Sequence, residues 1–203
     1  MKTRWHVIGA AVLLTVGSFK VAAEEWKKFS PPDGKFTVLL PDKPIEQKKT
    51  QDTAVGPTPM TTYACEVNPG DDSSIFAVTV SEYPPSTAGI GEIHQDGMSE
   101  EHANVLVESA ANGAIKNFDG QLRGTAQVTL GSYTGKEITL ESPTTVFIAR
   151  YFWIAPRLYV IQVVTTPDQK SVLDSTIAKF FNSFQVKETE PQDTPPTIVS
   201  PGQ

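Results

Sequence analysis

Apolar and polar residues alternate through much of the chain. Phe36, Val38 and Leu40 fall at period two, as do Phe76, Val78 and Val80. This is the spacing of strands with one buried face. The first of these runs follows Ser30-Pro31-Pro32-Asp33-Gly34, a turn that joins it to residues 26–29 as a hairpin. Proline presets one turn dihedral there, and glycine accepts a positive φ. Residues 45–60 read as a polar strand ending in the turn Gly56-Pro57-Thr58-Pro59. Strands over 61–67 and 75–83 follow, joined by the loop Asn68-Pro69-Gly70-Asp71-Asp72-Ser73.

The period then changes. Between about 96 and 117, Ala103, Leu106, Val107, Ala110, Ala114 and Ile115 recur at helical spacing and make one buried stripe. Ser99 with Glu100 and Glu101 suits the start of that helix, and Asp119-Gly120 its end. Four strands come next, over 121–130, 133–142, 146–154 and 158–165. Their short connections imply antiparallel neighbours. A second helix runs over about 167–182, with Thr166 as N-cap, Pro167 first in the helix and Gln169 as capping partner. Its apolar face is Val172, Leu173, Ile177, Phe180, Phe181 and Phe184.

Strands interrupted by a few helices predict an α+β domain. Residues 146–154 are apolar on both faces: Val146, Ile148, Phe152 and Ile154 on one, Phe147, Ala149, Tyr151 and Trp153 on the other. A strand of this kind needs cover on both sides, and one helix on each face would supply it.

The two ends of the chain differ from this body. Lys2 and Arg4, the apolar run 7–19 and Val21-Ala22-Ala23 have the three-part form of a secretory signal peptide, cut before Glu24. The apolar run is shorter than the roughly 18 residues needed to span a bilayer; a retained anchor is the alternative. The predicted organisation is a signal peptide at 1–23, a domain at 24–186 and a disordered proline-rich tail at 187–203. The tail holds Pro191, Pro195, Pro196 and Pro201 and few apolar residues to offset chain entropy. The expected location is periplasmic or extracellular.

Cleavage removes Lys2, Arg4 and Lys20 and no acid, which takes the net charge from −6 to −9. So acidic a domain repels phosphate backbones and anionic lipid, so neither nucleic acid nor a basic membrane patch is expected. Cys65 is the single cysteine, so the chain folds without an internal disulfide; its place in a strand suits a small buried residue.

Candidate chemistry is sparse. His94, Asp96 and His102 are the weak candidates for a metal site. Eight residues of helix turn the two imidazoles about 80° apart, and a solvated helix start is the favoured reading of them. Asp71-Asp72 with Ser73 and Ser74 lacks the spaced acids of a calcium loop. Gly131-x-x-x-Gly135-Lys136 joins two strands and has Glu137 where a phosphate loop needs Ser or Thr, so it reads as a turn. Glu137 and Arg150 are placed to face each other across two strands as an ion pair. Tyr151, Trp153 and Tyr159, near the turn 155–157, read first as core and rim packing; a binding surface made with Arg157 is the sharper alternative.

Certain fixed points resemble the PsbP-like domain family, named for an extrinsic subunit of photosystem II. They are Trp26-x-x-Phe29-x-x-Pro32-x-Gly34-x-Phe36-x-Val38-x-x-Pro41, Gly135-x-Glu137, Arg157-Leu158-Tyr159-x-Ile161 and Phe180-Phe181-Asn182-Ser183-Phe184, covering about 26–186. The resemblance implies an α-β-α sandwich around a central antiparallel sheet, similar in fold to a Ran-binding protein of nuclear transport. It also implies adaptor or assembly roles, since catalysis is not the family's shared property and there is no catalytic set to carry over.

The function expected is therefore an exported, non-enzymatic binding or assembly domain with a protein partner and no cofactor. A metal-dependent or thiol hydrolase, and a small-molecule or lipid carrier, are the alternatives.

Overall fold

A computed structural model describes residues 26–53, 56–67, 73–83 and 100–187, with side chains in the last stretch from Ala103 onward. Residues 1–23, expected from the sequence to be a signal peptide, lie outside the described residues, as do Asp71-Asp72, His94, Asp96 and residues 188–203. The structure is mostly antiparallel sheet with two helices.

The opening hairpin pairs β1 (Lys27–Phe29) with β2 (Phe36–Leu40). Its turn closes where Gly34 N donates to the Pro31 carbonyl at 2.8 Å, with Gly34 at φ +66°. Phe36, Val38 and Leu40 are all essentially fully buried, as their spacing predicts.

Seven strands form the larger sheet, in the order β3-β4-β5-β9-β8-β7-β6. They are β3 (Ile45–Thr53), β4 (Gly56–Val67), β5 (Ser74–Glu82), β6 (Gln121–Leu130), β7 (Tyr133–Glu141), β8 (Val146–Ile154) and β9 (Arg157–Thr165). Every neighbouring pair is antiparallel. The predicted turn Gly56-Pro57-Thr58-Pro59 is instead the start of β4, paired with β3 from Thr53↔Gly56 to Ile45↔Ala64. Pairing with β5 begins only at Met60↔Ser81. The two prolines thus occupy a stretch with one strand neighbour, where a missing ladder donor is tolerated.

Among the described residues there are two helices, α1 (Glu100–Asn117) and α2 (Pro167–Ser183). In α2 the Thr166 hydroxyl accepts from Gln169 N at 3.2 Å, and Pro167 opens the first turn. Ile177, Phe180 and Phe181 are buried. Val172, assigned to that apolar face by its spacing, is instead 71% exposed. The buried stripe runs through Leu173, Ile177 and Phe180/Phe181, and Val172 sits one step of about 100° away from it.

After α2 the chain returns as β10 (Gln185–Val186), which pairs with the free edge of β2. β1, β2 and β10 make a separate three-stranded sheet, which strand periodicity alone did not distinguish from the larger one. Ser183 Oγ accepts from Leu39 N at 2.9 Å and ties the end of α2 to this small sheet.

Buried residues fall into two clusters. One joins Val146, Ile148, Phe152 and Ile154 of β8 to the small sheet and to Ile177, Phe180, Phe181 and Phe184. The other joins Ala149, Tyr151 and Trp153 of β8 to Leu106, Val107 and Ala111 of α1. Each cluster takes one set of alternate β8 side chains, as the two-faced apolar pattern requires. Ala111, fully buried, is the α1 residue that the spacing analysis left out.

Candidate functional site

A cleft of about 170 Å³ opens where the C-terminal end of α2 faces the β6–β7 turn across β8. Thr129, Leu130, Arg150, Phe152, Phe181 and Asn182 are among its walls. Arg150 is its charged group. The β7–β8 register sets Arg150 opposite Glu137, and Nε donates to Glu137 Oε2 at 2.6 Å. The pair expected from the sequence is therefore formed, with the two side chains 24% and 26% exposed. The guanidinium carbon also lies 4.5 Å from the centre of the Phe181 ring. A cation over an aromatic face, held by a carboxylate from the side, has little freedom to move. Gly135 permits this layout, because a Cβ there would collide with the Phe152 ring and the Tyr151 carbonyl.

A second, smaller depression of about 30 Å³ lies beside the β1–β2 turn. Around it Lys35 pairs with Glu82, and with Asp33 at 3.0 Å, while Arg157 Nε donates to Glu82 Oε1 at 3.4 Å. The β5–β9 register explains the last contact, since it sets Glu82 opposite Arg157. The hydrogen bond from Lys35 holds the Glu82 carboxyl below its ordinary range, against a smaller effect of burial. At Lys35 burial opposes the charge, but bonds to Glu82 and Asp33 prevail and raise its pKa. Burial, reinforced by the carboxylates of Glu46, Asp33 and Glu82, pushes the Tyr63 phenol up to about 12. Each charge here is answered by an opposite one, as in a structural clamp between the small sheet and β5–β9.

The three aromatics of the candidate binding surface are packed as core, the reading that the sequence favours for them. Tyr151, Trp153 and Tyr159 are at most 5% exposed. Tyr151 and Trp153 belong to the α1-side cluster and Tyr159 to the α2-side cluster. β8 and β9 lie inside the sheet with both faces covered, so aromatics there become core. Arg157 keeps partial exposure but is engaged with Glu82. His102 lies in α1 with its side chain outside the described residues, and His94 and Asp96 lie outside them too, so the candidate metal set falls outside the described side chains. Cys65 is buried in β4, and its thiol donates to the Asp42 carbonyl at 3.1 Å. Thr129, which borders the cleft, has no signal in the sequence, and Asn182 appears there only within the Phe180–Phe184 motif; each is an ordinary polar residue until α2 and the β6–β7 turn are brought together.

Among the described residues, then, mostly antiparallel sheet and two helices carry a cleft beside α2 and a charge clamp beside the β1–β2 turn. No protein-family profile and no curated protein matches the chain. Among solved structures it is similar to cyanobacterial PsbP (CyanoP) from Synechocystis sp. PCC 6803, with TM-score 0.49 and 12% identity over 85% of this chain and 99% of that one. It is also similar to PA94 from Pseudomonas aeruginosa, a protein of unknown function, with TM-score 0.47 and 9% identity over 81% of this chain and 99% of that one. Among the described residues no helix is long and apolar enough to cross a membrane.

Proposed function

We propose that the chain is an exported, non-enzymatic domain that binds a protein partner, and that the cleft beside α2 receives one side chain of that partner. The size of the cleft carries this reading. About 170 Å³ suits a single side chain, whereas small-molecule sites commonly measure about 300–1,000 Å³. Its chemistry fits too. An aromatic and aliphatic wall meets a guanidinium already neutralised by Glu137, which favours a side chain with an uncharged oxygen acceptor at its tip. The ion pairs Arg150–Glu137 and Lys35–Glu82–Arg157, and the bonded, buried thiol of Cys65, support structural rather than catalytic duties for these groups.

The finer fold assignment belongs to the same reading: an α-β-α sandwich of the PsbP-like kind, with one helix on each face of the seven-stranded sheet. It is supported by the partition of β8 between the two clusters, α1 taking one set of side chains and α2 the other.

The exported location rests on the signal-peptide pattern, and a mass measurement tests it. The mature protein is expected outside the cytoplasm and to begin at Glu24; a cytoplasmic product retaining residues 1–23 overturns it. The cleft is tested with Asn182→Trp, an exposed position at its mouth. Proteins cross-linked to the mature wild type are expected to be lost from the variant while its thermal melt is unchanged. Equal recovery from both, or turnover of a substrate by the purified domain, defeats the reading.

A further inference from the structure

Among the described residues the larger sheet has two free edges, β3 and β6, and both strands are largely exposed. A bare edge presents unpaired backbone donors and acceptors, and proteins that stay apart guard such edges with charge. β3 is guarded: Glu46, Lys48, Lys49 and Asp52 fall within its nine residues. β6 is not: from Gly124 to Leu130 it reads Gly-Thr-Ala-Gln-Val-Thr-Leu, without a charge.

That window has defined ends. A register shift between Leu122 and Gly124 interrupts it on one side, next to Arg123, whose Nε meets Glu141 Oε2 at 3.2 Å. The turn at Gly131, at φ +57°, ends it on the other. A bulge twists an edge away from further pairing, so the residues available are 124–130, and their midpoint is Gln127.

Antiparallel pairing of this window with itself about Gln127 sets Thr125 opposite Thr129, Ala126 opposite Val128 and Gln127 opposite Gln127. Hydroxyl pairs and small apolar pairs are favourable cross-strand neighbours. The same operation on β3 about Lys49 sets Lys49 against Lys49 and Glu46 against Asp52, which repel. Charges one strand further in from β6 are neutralised within each copy. Ala126 lies opposite Glu137, which holds Arg150, and Gln127 lies opposite Lys136, whose Nζ meets Glu108 Oε2 at 2.5 Å.

From these observations we propose that β6 is a self-association edge. A second copy of the chain pairs with it antiparallel about a twofold axis at Gln127 and continues the seven-stranded sheet into its partner. The interface is isologous, so one strip of surface serves both copies. The window shares Thr129 and Leu130 with the wall of the cleft beside α2, whereas Gln127 at the axis lies outside that wall.

The test uses the full mature chain in sedimentation equilibrium over a range of concentration and salt. A concentration-dependent dimer is expected, and it tightens with added salt, because salt screens the repulsion between two acidic copies. Gln127→Lys and Gln127→Glu each place like charges together at the axis and are expected to weaken association at least about tenfold. A one-to-one mixture of the two variants restores it. Gln127 is exposed, so circular dichroism should show both variants folded, and Lys49→Glu on the opposite edge leaves the dimer unchanged. A monomer at every concentration, a dimer indifferent to both Gln127 variants, or disruption that the mixture fails to rescue each overturns the proposal.

Discussion

The two hydrophobic clusters that share β8 are built in opposite ways. On the α2 side, aromatic rings meet in two sets, one around Phe76 and Phe180 and one around Phe36, with several pairs edge to face. Trp26 and Phe76 lie 5.0 Å apart at 88°, Phe76 and Phe180 5.3 Å apart at 82°, and Phe36 reaches Tyr63 at 5.8 Å and Phe184 at 5.5 Å. On the α1 side the helix presents mostly small residues, with Ala111 fully buried and Ala103, Ala110 and Ala114 packed beside it. Large rings fill the space between elements held apart, while alanines let a helix backbone come close to the sheet. The first arrangement draws on buried area and ring geometry. The second depends on how little room is left.

The clusters should therefore fail under opposite substitutions. Phe180→Ala removes a fully buried ring that touches Trp26, Phe76 and Phe181. It should cost about 3–5 kcal/mol in urea unfolding, by lost transfer energy plus a cavity. Ala111→Leu adds volume where the α1 side has none to give, and about 1–3 kcal/mol is expected from overpacking. If Ala111→Leu were neutral, the α1 interface would be loose and the contrast would disappear.

Much of this contrast was legible in the sequence. Alternation along β8 announced two buried faces, and helical spacing named Leu106, Val107, Phe180 and Phe181. The cross-strand pair Glu137–Arg150 followed from strand order alone. What failed did so for physical reasons. Val172 fits an apolar stripe in type but not in angle. Tyr151, Trp153 and Tyr159 carry polar tips that leave a surface open as an alternative to core, and only the place of their strands inside a sheet covered on both faces decides between the two. The cleft and the Lys35–Glu82–Arg157 clamp join residues distant in sequence: Lys35 and Glu82 lie 47 positions apart. No local period encodes such contacts; only the tertiary pairing of β5 with β9 and the return of α2 bring them together.

Buried polar tips make the finest probe of the comparison. Among the described residues, Trp153 Nε1 on the α1 side is a buried donor with no acceptor, so this cluster already holds polar groups against their preference for water. Tyr151 beside it is 3% exposed, and burial pushes its phenol well above the usual tyrosine range. On the α2 side burial also raises the Tyr159 phenol, but Arg157 acts in the opposite direction through its charge and a hydrogen bond. The neutral phenol is the protonated form. The stability these residues supply is thus fully present below the unfolded tyrosine value of about 10 and lost as pH rises above it, because only the unfolded chain can release the proton. At pH 11 a fully buried tyrosine should forfeit about 1 kcal/mol relative to pH 9. Tyr151→Phe is expected to recover most of that alkaline loss, and Tyr159→Phe less, since Arg157 already eases ionisation there. Chemical denaturation of the three proteins at pH 9 and pH 11 measures the difference. Equal recovery from both substitutions would mean that Arg157 does nothing for the phenol, and that the two sides of β8 differ in packing but not in electrostatics.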